Sequence, residues 1–115
     1  MPRVKRGTQH VKRRRNLLAK TKGMMWGRKS KIRLARPAAL KAGVYAYRDR
    51  RNKKRSFRRL WQIRINAAVR PLGLSYSKFI HSMKLFGSRL DRKVLSTVAK
   101  DYPEAFKKLV ETVKS

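Results

Sequence analysis

A chain of 115 residues has room for one ordinary domain, and its dominant property is charge: 34 Lys and Arg against 5 Asp and Glu, a formal net charge of +29. Such a chain repels itself when compact unless counter-charge is supplied, which implies a polyanionic partner: nucleic acid, an anionic membrane surface or an acidic protein. The absence of cysteine excludes disulfides, thiolate chemistry and Cys-based zinc sites, and no apolar run approaches the roughly 18 residues that span a bilayer.

The opening, Met1-Pro2-Arg3-Val4-Lys5-Arg6-Gly7, has no apolar stretch of the secretory type, so the first residues are read as part of the mature chain. Residues 1–31 alternate basic clusters with turn formers, and Gly7, Gly23, Gly27 and Ser30 are expected to interrupt any helix. The patch from Arg13 to Ala19 has helical character with thin apolar cover. Proline is disfavoured inside a helix, so Pro37 is expected to open a long helix running toward Val69, weakened only at Gly43.

The centre of that helix carries the functional signal. At roughly 100° per residue, Arg48, Arg50, Arg51, Lys53, Lys54, Arg55, Arg58 and Arg59 leave only the arc from about 20° to 140°, measured from Arg48, free of cations. A helix charged on most of its circumference has no apolar face for a membrane or a protein core. It suits phosphate backbones approaching from several sides. Arg outnumbers Lys here, which favours bidentate phosphate forks. Asp49, the lone acid of this half, is expected to pair locally with Arg48, Arg51 or Lys53. Trp26, Tyr45 and Tyr47 lie among the cations, where rings can stack on unpaired bases. For Trp26, base stacking and a structural role both stand open. For Phe57 and Trp61, nearer the second half, burial in the domain core is the favoured reading over stacking.

A composition change divides the chain. Residues 1–58 hold 22 Lys and Arg and one acid, a net charge of +21, whereas residues 59–115 hold 12 against 4, a net charge of +8. The second half reads as short amphipathic helices. Tyr76, Phe79, Ile80 and Met83 fall on one face, with Ser75 or Ser77 as cap and Gly87 as terminator. Asp91 suits an N-cap, with Leu90 and Leu95 spaced as a hydrophobic staple, and Val94, Leu95, Val98 and Ala99 then line one face. A last helix starts near Tyr102-Pro103 and repeats Phe106, Leu109, Val110 and Val113. With Trp61, Ile65 and Leu72 these stripes are expected to close a small, marginally stable core. The fold class is therefore all-α: a long basic N-terminal helical extension (1–58) plus a small globular helical C-terminal domain (59–115).

No constellation looks catalytic. His10 and His81 have no carboxylate partner nearby in sequence, too few ligands exist for a metal, and no Gly-rich phosphate loop is present. His10 is read as a further RNA contact or a solvent-exposed residue, His81 as lying at the edge of its helix. An enzyme, a cofactor and a small-molecule substrate are not expected.

Several blocks resemble the bacterial-type large-subunit ribosomal protein L20 family. They are Pro2-Arg3-Val4-Lys5-Arg6-Gly7, Tyr45-Ala46-Tyr47-Arg48-Asp49-Arg50-Arg51, Lys54-Arg55, Phe57-Arg58-Arg59-Leu60-Trp61, Arg64-Ile65-Asn66-Ala67-Ala68, Gly73-Leu74-Ser75-Tyr76-Ser77 and Asp91-Arg92-Lys93-Val94-Leu95. They come in the family's order and span nearly the whole chain. The resemblance implies a basic helical extension threaded into large-subunit (23S-type) rRNA, a globular domain at the subunit surface, a role early in subunit assembly and, in some members, repression of their own messenger. It also implies neighbouring large-subunit proteins as partners, with L21 among them, and a place in the ribosome of the bacterial cytoplasm, an organellar ribosome being the alternative. Two features depart from the family: Pro37 lies where it continues a helix, and Met24-Met25-Trp26 replaces its aromatic-and-Gly turn.

The expected rRNA-binding residues are Arg3, Lys5, Arg6, Lys12, Arg13, Arg14, Arg15, Lys20, Lys22, Trp26, Arg28, Lys31, Arg33, Tyr45, Tyr47, Arg48, Arg50, Arg51, Lys53, Lys54, Arg55, Arg58 and Arg59 in the basic half, and Arg92 and Lys93 in the second. A nucleoid-type DNA-binding protein is the competing reading, since charge alone does not separate the two nucleic acids. A membrane-active cationic peptide is disfavoured by the nearly all-round charge of the central helix.

Overall fold

The computed structural model describes residues Met1–Lys114, which form five α-helices in the order α1 (Arg6–Lys20), α2 (Ile32–Val69), α3 (Tyr76–Leu85), α4 (Arg92–Asp101) and α5 (Pro103–Lys114). No strand occurs among the described residues, so the fold is all-α. The residues group into two compact units, Met1–Arg51 and Asn52–Ser115, whose boundary falls inside α2.

In the first unit, α1 begins one residue before Gly7, which therefore does not interrupt it. A glycine costs a helix only roughly 0.5–1 kcal/mol of backbone entropy relative to alanine, too little to break it here. The helix stops at Thr21, whose side chain is fully buried and whose hydroxyl donates to the Leu18 carbonyl at 3.3 Å. A short 3₁₀ turn, Trp26–Lys29, leads into α2.

Helix α2 is 38 residues long and begins at Ile32, five residues ahead of Pro37, which lies inside it. This corrects the expectation that Pro37 opens the helix. The earlier start is set by the 3₁₀ turn: the Gly27 carbonyl accepts from Lys31 N–H at 2.8 Å, the Lys31 carbonyl from Ala35 N–H at 2.9 Å, and Ala35 is fully buried. Pro37 deprives only the Arg33 carbonyl of a partner, and Arg33 and Pro37 are both exposed, so water can replace the missing bond.

The second unit holds the core. Ile65 and Val69 from the last turns of α2, Phe79 and Met83 from α3, Leu95 from α4, and Phe106 and Val110 from α5 form one buried cluster. Leu72, Tyr76, Ile80, Val98, Ala99, Leu109 and Val113 pack around it. The Phe79 and Phe106 rings meet at 5.6 Å between centroids in a tilted pair, a favoured aromatic geometry. Two glycines turn the chain between helices. Gly73 (φ 78) and Gly87 (φ 71) are left-handed, and each closes a Schellman motif. At the second, Ser88 N–H donates to the Met83 carbonyl and Gly87 N–H to the Lys84 carbonyl, both at 3.1 Å. Ser75 caps α3 by accepting from Lys78 N–H, Asp91 caps α4 by accepting from Arg92 N–H at 2.6 Å, and Pro103 is the first residue of α5.

Two packing expectations are overturned. Phe57 is 45% exposed and Trp61 only half-buried, and neither belongs to the core cluster; they contact each other instead, at 6.4 Å. The core reaches back along α2 only to Ile65. Val94 is also exposed, because the buried face of α4 runs through Leu95 and Ser96.

Ser96 is buried with a hydroxyl that has no hydrogen-bond partner. Replacing it with alanine removes an unpaired polar group at little change in volume, and Ser96→Ala is expected to stabilise the chain by about 1 kcal/mol. Phe106→Ala, by contrast, is expected to cost about 3–5 kcal/mol, most of the stability of so small a core. Denaturant unfolding followed by helicity checks both signs.

Candidate nucleic-acid interface

The cationic side chains stand in water. Within the first unit, Arg3 and Lys5 precede α1, while Arg6, Lys12, Arg13, Arg14, Arg15 and Lys20 lie on it; Lys22 follows in the turn, Trp26 and Arg28 in the 3₁₀ segment, and Lys31 just before α2. Arg33, Tyr45, Tyr47, Arg48, Arg50 and Arg51 lie on α2. All of these are exposed. In the second unit Lys53, Lys54, Arg55, Arg58 and Arg59 are likewise exposed on α2, and Lys93 on α4, whereas Arg92 is half-buried.

Some of these groups are already engaged. Arg14 donates to the Ser30 carbonyl at 3.0 Å, tying α1 to the turn before α2. Arg92 donates through Nε to the Tyr76 hydroxyl at 3.0 Å, joining α4 to α3. Arg92 is thus part of the packing of the second unit, while Lys93 beside it remains free in water.

The aromatic residues of α2 are organised by arginine. The Arg48 guanidinium lies over the Tyr45 ring at 4.9 Å and the Arg51 guanidinium over the Tyr47 ring at 3.6 Å, both within cation–π range. Asp49, the expected local partner, accepts from Arg48 Nε at 2.8 Å. That hydrogen bond, and then the carboxylate's charge, hold the Arg48 guanidinium above its ordinary pKa. The pair is exposed, so it orients the side chain more than it stabilises the fold.

Trp26 stands apart. It is 84% exposed, and among the described residues it is the non-glycine residue with positive φ, at 55°. A bulky residue in this conformation is strained.

Sequence reasoning missed a concave surface in the first unit. A groove of about 720 Å³ is lined by Met25, Arg28, Leu34, Pro37, Lys41 and Tyr45, with Ala42 among its other lining residues. The signal was present: Leu34, Ala38, Lys41, Ala42 and Tyr45 recur at helical spacing on one face. Starting the helix at Pro37 removed Leu34 from that face. Among the described residues no group of three or more His, Asp or Glu could hold a metal ion, and no helix is long and apolar enough to cross a membrane.

The sequence matches the family described as Ribosomal protein L20 over residues 3–109. The chain belongs to the ribosomal protein L20 family. Relatives named "Large ribosomal subunit protein bL20" include that of Leptospira biflexa, 54% identical over 114 residues and covering 99% of this chain and 97% of the relative. Those of Leptothrix cholodnii and Pelagibacter ubique are 55% and 53% identical, each covering all of this chain and 98% of the relative. Ribosomal protein L20 is a structural family and not an enzymatic one.

Because Arg92 serves packing, Arg92→Ala is expected to destabilise the second unit by about 1 kcal/mol through loss of its bond to Tyr76, whereas Lys93→Ala leaves stability within about 0.5 kcal/mol. Thermal unfolding of the two variants, side by side, reads the difference.

Proposed function

We propose that this protein is a structural constituent of the large ribosomal subunit that binds 23S-type rRNA directly through its basic half and supports early subunit assembly. The observation that carries this reading is the exposed cation array of residues 3–59 together with a near absence of internal counter-charge. Fixed cations this dense displace condensed counterions from a phosphate backbone, and the released ions supply the binding free energy. The bacterial relatives, named as large-subunit proteins across essentially their full length, supply the setting.

The proposed contacts divide by chemistry. Arg3, Lys5, Arg6, Lys12, Arg13, Arg15, Lys20, Lys22, Arg28, Lys31, Arg33, Arg50, Lys53, Lys54, Arg55, Arg58, Arg59 and Lys93 meet phosphates. Arg14 and Arg92 contribute with the donors not spent on Ser30 and Tyr76. Trp26, Tyr45 and Tyr47 offer ring faces to unpaired bases; Arg48 adds a guanidinium plane, and Arg51 adds both a plane and a phosphate contact. Leu85 and Phe86, exposed at the end of α3, offer neighbouring large-subunit proteins an apolar contact; L21 is proposed among those neighbours on the family resemblance. Repression of the protein's own messenger requires only that an RNA site there compete for the same cations.

Salt dependence tests the phosphate assignments. Replacing Arg50, Arg51, Arg55 and Arg58 with alanine is expected to lower the slope of log affinity against log salt by about 3, at roughly 0.7–0.9 per lost contact. An unchanged slope on purified large-subunit rRNA refutes the assignment.

Trp26 separates stacking from strain. Trp26→Gly accepts the same backbone conformation without a steric penalty, so the fold is retained while the ring is lost. Its affinity for large-subunit rRNA is expected to fall about tenfold, the size of one base stack, without change in the salt slope. Undiminished affinity returns Trp26 to a structural role.

A further inference from the structure

The groove between the 3₁₀ turn and the start of α2 has three properties that together specify a ligand. Its wall is apolar, from Met25, Leu34 and Pro37, yet Met25 is 72% and Leu34 50% exposed, so apolar surface is left in water inside a strongly cationic unit. Its charged lining residues are both cations, Arg28 and Lys41, with no acid. It is also lined by Tyr45, over whose ring Arg48 already lies, itself held by Asp49. Its volume, about 720 Å³, lies within the range of ligand clefts and leaves room for a base together with its sugar and flanking phosphates.

We propose that this groove receives a single unpaired RNA base, extruded from its strand, with Tyr45 and the apolar wall against the ring and Arg28 and Lys41 on the flanking phosphates. The proposal rests on the rRNA-binding function above and adds to it a point of structural discrimination. A cation array recognises any phosphate backbone, whereas an apolar groove flanked by cations recognises a strand that has a nucleotide free to leave its stack. An apolar protein side chain would fit the wall but would leave Arg28 and Lys41 without counter-charge, so the cations favour a nucleotide.

Two variants test this without removing a cation. Ala42→Phe fills the groove from an exposed position on α2, and Tyr45→Leu removes the ring; circular dichroism establishes that both keep the wild-type helicity. Binding is measured on purified bacterial large-subunit rRNA, with base-specific chemical modification as the footprint. The wild-type protein is expected to protect at least one unpaired base that becomes reactive again with either variant, while backbone protections elsewhere persist. Affinity falls about tenfold at unchanged salt slope. Identical footprints and affinities for all three proteins overturn the base groove and leave general rRNA binding standing. Footprints that stay identical while the variants alone lose incorporation into large subunits assign the groove to a protein side chain and overturn it equally. A wild-type protein that leaves no footprint refutes the rRNA-binding function, and the groove's role falls with it.

Discussion

The rest of this structure depends on uncompensated positive charge. Five acids face 34 Lys and Arg, so most cations have no internal partner available even in principle. Among the described residues three ion pairs form, Arg48–Asp49, Lys100–Asp101 and Lys107–Glu104, and all three are exposed. Exposed pairs of this kind contribute at most about 1 kcal/mol each. They do not offset the repulsion among the remainder. The counter-charge must come from outside, and a folded RNA is the polyanion that offers it on several sides of a helix at once.

The two units answer this constraint differently. Residues 52–115 bury a cluster of seven apolar side chains from four helices. In residues 1–51 the fully buried side chains are Ala35 and Thr21. Their helices are defined by backbone hydrogen bonds, the tie from Arg14 to Ser30 and the turn that starts α2, with almost no apolar burial to hold them. The side chains left over, cations and uncovered rings, are those with affinity for phosphates and bases. Sparse burial and rich binding chemistry are two aspects of the same composition.

Much of this was legible in the residues. The helical stripes of α3 and α5, the Ser75 and Asp91 caps, the turn at Gly87 and the Pro103 start follow from local rules that tertiary packing did not override. A local pairing of Asp49 was legible because it is the lone acid among the cations of its half, whereas the choice of Arg48 over Arg51 and Lys53 was left open. Two of the readings that failed, and one feature that was missed, have identifiable reasons. Pro37 was given too much authority: a proline early in a helix withholds one bond from a solvent-facing carbonyl, and the hydrogen bonds of the Gly27–Lys31 turn outweigh it. Phe57 and Trp61 were assigned to the core by residue type, but the core begins only at Ile65, one turn past Trp61, and the two rings pack on each other instead. The groove was overlooked because a helix started at Pro37 leaves Leu34 off the face that carries Ala38, Lys41, Ala42 and Tyr45, and the turn supplies the rest of the wall.

The central claim is that the helices of the basic half take their stability from phosphates. Amide hydrogen exchange on the full chain, free and bound to large-subunit rRNA, tests it most directly. Free, the amides of α1 and of α2 before Asn52 should exchange rapidly while those of α3 to α5 are protected. With RNA the first group should become the more strongly slowed. Strong protection of α1 and early α2 in the free protein, equal to that of α5 and unchanged by RNA, would contradict the account.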